Sequence, residues 1–219
     1  MNRNGDLQIR FKKQEFILTP EKAIFWVNKN ILVLSDMHLG KSGHFRKAGI
    51  AIPTAVNDNN LYRLEVLIKY YRPDRILYLG DLFHSDKNSE WTSFKTWRSK
   101  YPEIAMNLAI GNHDFHSVDE YESIGLICSQ CINIDPFLLL HDSTNNKTED
   151  KIYTLSGHVH PSIKLYGKGR QSVRVPCFYF GEDHALLPAF GSFTGTHTIK
   201  PKVSDLVFGI INDQIIKIS

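Results

Sequence analysis

The sequence predicts an α/β fold in which a sheet covered by helices is joined to a second, more antiparallel sheet. Two observations lead to this prediction. Short apolar runs rich in β-branched and aromatic residues recur along the whole chain, whereas helical periodicity is confined to its first half. The length of 219 residues matches one ordinary domain, and the polar stretch 142–151 is typical of a surface loop rather than of a linker. We therefore expect a single domain over residues 1–219.

Predicted strands and helices alternate over about the first 125 residues. The expected strands are 7–11, 23–27, 31–34, 75–79 and 104–110. The clearest helix covers about residues 56–71, because apolar side chains recur on one face and Pro73 follows its end. That face carries Leu61, Leu64, Leu67, Ile68 and Tyr71.

A second helix is expected over about residues 89–100, where Trp91, Phe94 and Trp97 recur at helical spacing. We favour packing of these aromatic side chains against the sheet, with an exposed face for base stacking or dimerisation as the alternative. The rest of the chain is mostly strand, which predicts the second sheet. Its runs are 136–140, 152–155, 163–166, 173–180, 185–190, 206–211 and 215–218.

Composition and charge exclude several classes of protein. Hydrophobic residues make up 42% of the chain and charged residues 22%, which is globular composition and not that of a disordered chain. The net charge of +3 is too small to indicate a nucleic-acid-binding protein by itself. Three cysteines form no disulfide framework, the first residues lack an apolar signal core, and no run approaches the roughly 18 apolar residues of a membrane span. We therefore expect a cytoplasmic protein without a membrane partner.

Five segments that carry histidine or acidic residues each follow an apolar strand directly. They are Ser35-Asp36-Met37-His38, Gly80-Asp81-Leu82-Phe83-His84, Gly111-Asn112-His113-Asp114, His141-Asp142 and Gly157-His158-Val159-His160. Strand ends at one edge of a sheet are where α/β folds place their sites, because the loops there converge. Carboxylate and amide oxygens mixed with imidazole nitrogens suit manganese, iron or zinc better than magnesium or calcium. Each segment alone is weak evidence, but the ordered series predicts a transition-metal site.

This series resembles the motifs D-x-H, G-D, G-N-H-D, H and G-H-x-H of the calcineurin-like metallophosphoesterases, complete and in order. The resemblance implies an α/β fold built as a four-layer α/β/β/α sandwich of two mixed sheets flanked by helices. It also implies two divalent transition-metal ions, with Mn²⁺ favoured and iron or zinc as alternatives. The ligands implied for the first ion are Asp36, His38, Asp81 and His160, and those for the second are Asp81, Asn112, His141 and His158. Asp81 would bridge the two ions.

The same resemblance implies catalytic and substrate-binding residues. His113, paired with Asp114, matches the family's catalytic histidine, which would protonate the leaving alkoxide. The protein-phosphatase branch has an arginine soon after its G-D motif, whereas this sequence has His84, as in the DNA double-strand-break repair nucleases of the superfamily. His84 is therefore a second catalytic candidate, with a purely positioning role as the alternative. Lys41 and Arg46 lie in a stretch without acidic residues and are the substrate-binding candidates.

Over roughly residues 23–195 the chain resembles the DNA ligase-associated phosphoesterase (PdeM) family. The segments that support this are Asp36-Met37-His38-Leu39-Gly40-Lys41, Val175-Pro176-Cys177-Phe178 and Leu187-Pro188-Ala189-Phe190-Gly191. The expected function is a dinuclear phosphodiesterase or nuclease that acts on DNA or nucleotides in DNA repair, with DNA ligase and a helicase as implied partners. The alternatives are a UDP-sugar-lipid pyrophosphohydrolase at the membrane surface and a non-catalytic scaffold. The absence of a long apolar helical insert disfavours the first, and the retained ligand set disfavours the second.

Overall fold

The structure is a computed structural model that describes residues 3–41, 55–84, 89–144, 152–169, 171–192 and 194–219, without the side chains of residues 55–58 and 89. Its first sheet contains seven strands in sequence order. They are β1 (Leu7–Phe11), β2 (Gln14–Leu18), β3 (Ile24–Trp26), β4 (Ile31–Leu34), β5 (Arg75–Leu79), β6 (Ala105–Ala109) and β7 (Leu126–Ser129). Pairing is antiparallel from β1 to β4 and parallel from β4 to β7.

The described helices pack against one face of this sheet. They are α1 (Ala55–Tyr71), α2 (Ser89–Arg98) and α3 (Val118–Ser123), and a 3₁₀ turn covers Val27–Lys29. Each helix contributes a buried side chain to one cluster with the sheet, namely Leu64, Phe94 and Tyr121. Trp97 is buried in the same cluster and Trp91 packs against it. The aromatic residues of α2 therefore belong to the core, which was the favoured interpretation.

The second sheet is also mixed. Its strands are β8 (Cys131–Ile134), β9 (Phe137–Leu140), β10 (Tyr153–Ser156), β11 (Pro161–Tyr166), β12 (Ser172–Phe180), β13 (His184–Leu186), β14 (His197–Thr198), β15 (Leu206–Ile211) and β16 (Gln214–Lys217). β10 is parallel to both β9 and β13, whereas β12 is antiparallel to β11, β13 and β15. The first half of β12 forms a hairpin with β11, and its second half pairs with β15.

The two sheets pack face to face around a second apolar cluster. The Trp26 ring of the first sheet lies 5.3 Å from the Phe137 ring of the second. Two mixed sheets in contact are as expected, but the helices of the described residues cover the first sheet only. An antiparallel pair of strands can have one face in solvent. The β11–β12 hairpin of the second sheet does so, since its Lys164, Tyr166 and Arg174 side chains are exposed.

Parallel pairing decides where the predicted ligand segments meet. The carboxyl ends of β4, β5 and β6 lie at one edge of the first sheet, and those of β9 and β10 lie together in the second. Each of these five strands is followed by a predicted ligand segment. Sequence periodicity did not predict β2, β7, β8, β14 or α3, which are short and show no extended repeat. Within the described residues, no helix has the length and apolar character of a membrane span.

Candidate metal centre

Five loops that follow parallel strands converge on one cluster of side chains. They supply Asp36 and His38 after β4, Asp81 and His84 after β5, Asn112 and His113 after β6, His141 after β9, and His158 and His160 after β10. Backbone hydrogen bonds hold the first two loops side by side. The Asp36 N–H donates to the Gly80 carbonyl oxygen over 3.1 Å, and the His38 N–H donates to the Asp81 carbonyl oxygen over 2.9 Å. The fold thus brings all seven predicted metal ligands together.

One group of donors gathers around the Asp36 carboxylate. The His160 Nε2 atom lies 3.1 Å from Asp36 Oδ1, and the His38 Nε2 atom lies 4.0 Å from the same oxygen. His38 Nε2 is also 3.8 Å from Asp81 Oδ2. Ligand atoms of Asp36, His38 and His160 all lie within 4.8 Å of one another, which is close enough for one ion to contact the three.

A second group of donors surrounds His141. Its Nε2 atom lies 3.0 Å from Asn112 Oδ1, 3.1 Å from His158 Nδ1 and 3.3 Å from Asp81 Oδ1. Asp36, Asp81 and His141 also have ligand atoms within 4.8 Å of one another. Asp81 therefore presents Oδ2 to the first group and Oδ1 to the second.

Buried acceptor atoms that face one another show that the cluster fits a cation. His141 Nδ1 lies 2.9 Å from the Leu79 carbonyl oxygen, which can only accept, so in the neutral ring Nε2 carries a lone pair. This lone pair faces the oxygens of Asn112 and Asp81, which are acceptors as well, and His158 Nδ1, which can donate in one tautomer only. Among the described residues, the buried Asp36 Oδ1 and His38 Nε2 also have no hydrogen-bond partner. Buried lone pairs directed at one another are costly, and a divalent ion between them would remove that cost.

Burial and charge set the protonation states that a metal requires. Burial lowers the pKa of His38 to about 3, so its imidazole is neutral at pH 7 and can act as a ligand. Burial raises the pKa of Asp36, but the neighbouring imidazoles of His160 and His141 outweigh it and hold this pKa below its usual range. Burial raises the pKa of Asp81, and the Asp36 carboxylate adds to this against the opposing effect of His141. A divalent ion would favour both carboxylates in their charged form.

The backbone of the predicted ligands is strained. Five of them have φ between 47° and 62°, a range that residues other than glycine rarely adopt. These five are Asp36, His38, Asp81, His158 and His160. Each such residue costs about 1–2 kcal/mol relative to ordinary backbone, and such strain persists only where the surroundings impose it. No sequence signal marked these positions, because none of them is glycine.

The glycines that precede the ligands matter mainly because they leave room for neighbouring side chains. Gly80 provides a tight turn with φ 75°. Gly111 and Gly157 lack a positive φ, but a Cβ atom at Gly111 would overlap the Asp81 carboxylate. A Cβ atom at Gly157 would likewise overlap Asp36 Oδ2. The absence of a side chain is therefore what lets both carboxylates reach the cluster.

The two candidate catalytic histidines lie beside the metal-binding cluster. The His113 ring is 5.8 Å from the His38 ring and 4.7 Å from the His84 ring, and the His84 ring is 5.1 Å from that of His38. The His113 N–H donates to Asp81 Oδ1 over 2.9 Å, which fixes its position relative to the predicted bridging carboxylate. Both imidazoles are thus placed to reach a group bound at the cluster.

Asp114 has a different environment from the expected pairing with the His113 ring. Its carboxyl oxygens accept five hydrogen bonds at 2.9–3.3 Å, from the N–H groups of Asp81, Leu82, Phe83 and Gly111 and the hydroxyl of Tyr121. Among the described residues, none of its hydrogen bonds goes to the His113 imidazole. Because both oxygens are taken by these donors, Asp114 holds the loop that carries Asp81.

Of the two substrate-binding candidates, only Lys41 lies within the described residues. Burial lowers the pKa of the Lys41 ammonium group, and the nearby Asp81 and Asp36 carboxylates offset only part of this effect. Arg46 lies outside the described residues. Sequence reasoning missed three supporting groups, which are the carbonyl oxygens of Leu79 and Gly195 behind His141 and His160 and the Tyr121 hydroxyl on Asp114. The two carbonyl groups are distant in sequence from the rings that they support, and none of the three groups belongs to a motif.

Comparison with known proteins agrees with this geometry. Residues 29–187 match the family model of calcineurin-like phosphoesterases. The structure is similar to the crystal structure of nuclease MPE from Pseudomonas putida, with a TM-score of 0.79 and 26% sequence identity over 97% of this chain and 100% of that one. A phosphoesterase from E. coli, Yfce, aligns with a TM-score of 0.43 and 12% identity over 84% of this chain and 88% of that one.

No significant match was found among curated protein sequences. The family match nevertheless covers most of the chain and includes the strands and loops that build the cluster. Its members are metal-dependent phosphoesterases, which agrees with Asp and His groups that could bind metal. The chain belongs to the calcineurin-like phosphoesterase family.

Proposed function

We propose that this chain is a dinuclear metal-dependent phosphodiesterase that hydrolyses phosphodiester bonds in DNA or nucleotides. The observation that carries the proposal is the position of Asp81 between two sets of donors. Its Oδ2 atom lies 3.8 Å from His38 Nε2, and its Oδ1 atom lies 3.3 Å from His141 Nε2. A carboxylate that faces nitrogen ligands on both sides is placed to bridge two ions.

The donor chemistry favours manganese, with iron or zinc as alternatives. Asp36, His38, Asp81 and His160 would hold one ion, and Asp81, Asn112, His141 and His158 the other. This mixture of oxygen and imidazole ligands suits such ions better than it suits calcium or magnesium. A bound pair of divalent ions supplies Lewis-acid stabilisation of the charge that develops on the phosphoryl oxygens.

The chain's own residues supply the proton and the orientation. His113 is proposed to protonate the leaving oxygen, because its ring lies at the cluster and its backbone is fixed to Asp81 Oδ1. His84, whose ring centre is 4.7 Å from that of His113, is proposed as a second donor to the phosphate or the leaving group. Asp114 keeps the Asp81 loop in place rather than orienting the His113 ring. Lys41 and Arg46 are proposed to bind the substrate phosphate.

Nucleic acid is the substrate class that several observations support. His84 stands where the protein-phosphatase branch has an arginine, and the similar protein from Pseudomonas putida is named a nuclease.

Free cysteines at positions 128, 131 and 177 fit the reducing conditions of the cytoplasm. A role in DNA repair alongside DNA ligase and a helicase rests on the family resemblance. We also propose that the whole chain acts as one domain, since the second apolar cluster joins both sheets.

Parallel assays with Mn²⁺ would test this function on bis(p-nitrophenyl) phosphate, p-nitrophenyl phosphate and single-stranded DNA. Elemental analysis should find two ions per chain, and the diesters should be hydrolysed faster than the monoester. Asp81→Asn should lower metal content and reduce hydrolysis by about 100-fold or more, because metal ions supply several kcal/mol of stabilisation. Asp119→Asn, the same change at an exposed site on α3, is the matched control. A preference for the monoester, or a stoichiometry that never exceeds one ion, would contradict the proposal.

A further inference from the structure

A two-stranded hairpin leaves the candidate metal centre directly after a predicted ligand. β11 (Pro161–Tyr166) begins one residue after His160 and pairs antiparallel with the first half of β12 (Ser172–Phe180). In its register Lys164 is directly opposite Arg174, and Tyr166 is opposite Ser172. Directly opposed residues of an antiparallel pair point to the same side of the sheet, as do residues two apart on one strand. Lys164, Tyr166 and Arg174 therefore share one face, which we call the basic face.

The basic face is open to solvent. Tyr166 is 78% exposed, and Lys164 and Arg174 are exposed as well. The Lys164 ammonium lies 5.2 Å from the centre of the Tyr166 ring, so cation and aromatic ring form one continuous surface. Next to the metal centre the opposite side of the hairpin is directed inward, because Val175 is only 7% exposed and its partner Ile163 is partly buried, whereas Val173 towards the tip is 57% exposed. Packing of this inner side fixes which face the hairpin presents.

The hairpin that carries the basic face has no acidic residue of its own. No aspartate or glutamate occurs between residues 152 and 181. Two like charges directly opposite each other on a sheet destabilise the pair of strands. Lys164 and Arg174 adopt this arrangement, and an anionic partner across both cations would reverse its cost. Paired cations beside an exposed aromatic ring are the combination that binds single-stranded nucleic acid, through phosphates and stacked bases.

Distance along the strand agrees with such a partner. At about 3.3 Å per residue, Lys164 lies roughly 13 Å and Tyr166 roughly 20 Å along the chain from His160. A phosphodiester bound at the metal centre would therefore have neighbouring nucleotides within reach of the basic face. A duplex would not offer an unstacked base to Tyr166, whereas a single strand would.

We propose that the basic face binds a single-stranded nucleic-acid segment next to the phosphodiester that is cleaved. Lys164 and Arg174 bind backbone phosphates, and Tyr166 stacks on a base without selecting its identity. This inference rests on the proposed function, because it names the substrate class of the same site. It predicts that a single-stranded substrate is held by contacts that a small diester cannot make.

The first experiment measures binding and therefore does not depend on turnover. Fluorescence anisotropy would follow a labelled oligothymidylate of about twelve nucleotides, within the site sizes of single-strand binding folds, in a chelating buffer that prevents cleavage. At 0.1 M salt, the double variant Lys164→Ala/Arg174→Ala should bind about 25-fold more weakly, and its salt slope should fall by about 1.4, since each phosphate contact on a single strand contributes about 0.7. The matched control is Lys29→Ala/Lys100→Ala, which removes two exposed lysines near the amino ends of β4 and β6.

Variants of Tyr166 test the stacking part of the proposal. Tyr166→Ala should weaken binding by between about 5- and 100-fold, and Tyr166→Phe, which keeps the ring, should bind as the parent chain does. With Mn²⁺, the double variant should lose far more of its kcat/KM on the oligonucleotide than on bis(p-nitrophenyl) phosphate.

The outcomes separate this inference from the proposed function. If the parent chain hydrolyses the diester but the double variant binds the oligonucleotide as tightly as the control pair does, the basic face is not the binding surface. If the parent chain hydrolyses no phosphodiester, the proposed function fails, and the anisotropy comparison still decides whether these three residues bind a strand. Equal weakening in both double variants would show non-specific charge attraction and would overturn the proposal.

Discussion

Replacement of Asp114 by asparagine separates two roles that the sequence alone would confuse. Asp114 Oδ2 accepts the N–H groups of Asp81 and Gly111, and Oδ1 accepts three further donors. An asparagine side chain has one oxygen, so its amide NH₂ must face one of these two sets. If the oxygen keeps the larger set, the Asp81 and Gly111 N–H groups lose their acceptor and meet a donor instead.

The size of the effect follows from that count. Each backbone N–H left without a partner costs about 1–3 kcal/mol, so two of them cost about 2–6 kcal/mol, and relaxation of the loop favours the lower half of that range. For a chain of this length, about 3 kcal/mol corresponds to a loss of roughly 6–12 °C in Tm. Metal content should fall too, because the displaced loop carries Asp81.

Differential scanning calorimetry and elemental analysis on the same preparation would measure both effects. Tyr121→Phe removes a single donor to Asp114 and should lower Tm by only about 2–4 °C. The reasoning is refuted if Asp114→Asn keeps the parent Tm and two ions per chain while hydrolysis slows mainly for poor leaving groups. That pattern would restore the role of orienting the His113 ring.

Three further changes test other parts of the structure. Gly157→Ala should reduce metal content and activity, because the new Cβ atom overlaps Asp36 Oδ2, whereas Gly167→Ala meets only ordinary contacts and should leave both unchanged. The His113→Ala variant should keep its metal content, and its rate of hydrolysis should fall by about 10²–10⁴-fold, more for DNA than for a nitrophenyl ester. A parallel loss of metal would exclude His113 as the leaving-group acid. Burial lowers the pKa of Lys22 from 10.5 to about 8, so below pH 8 its charge opposes folding. Lys22→Met should therefore raise Tm at pH 7 by about 2–6 °C, with the gain fading as the pH rises from 8 to 10.5; a gain independent of pH would contradict this.

The sequence by itself determined the order of the strands at the site and the residue types that follow them. Apolar runs predicted β4, β5, β6, β9 and β10, and the polar residues directly after each run gave the predicted ligand segments. The helical face of Leu61, Leu64 and Leu67 likewise predicted α1. These features were readable because they depend on neighbours within a few residues, through strand alternation or helical spacing.

Only the tertiary structure decided how those segments act on one another. Asp114 was expected to pair with the adjacent His113, but its acceptors face Asp81, which is 33 residues away. His160 is supported by the Gly195 carbonyl oxygen, 35 residues further along the chain. The pairing of strands also decides two further features. One is the close approach of Gly157 to the Asp36 carboxylate, and the other is the basic face that includes Lys164 and Arg174. Such contacts arise from packing between distant segments, and local periodicity contains no information about them.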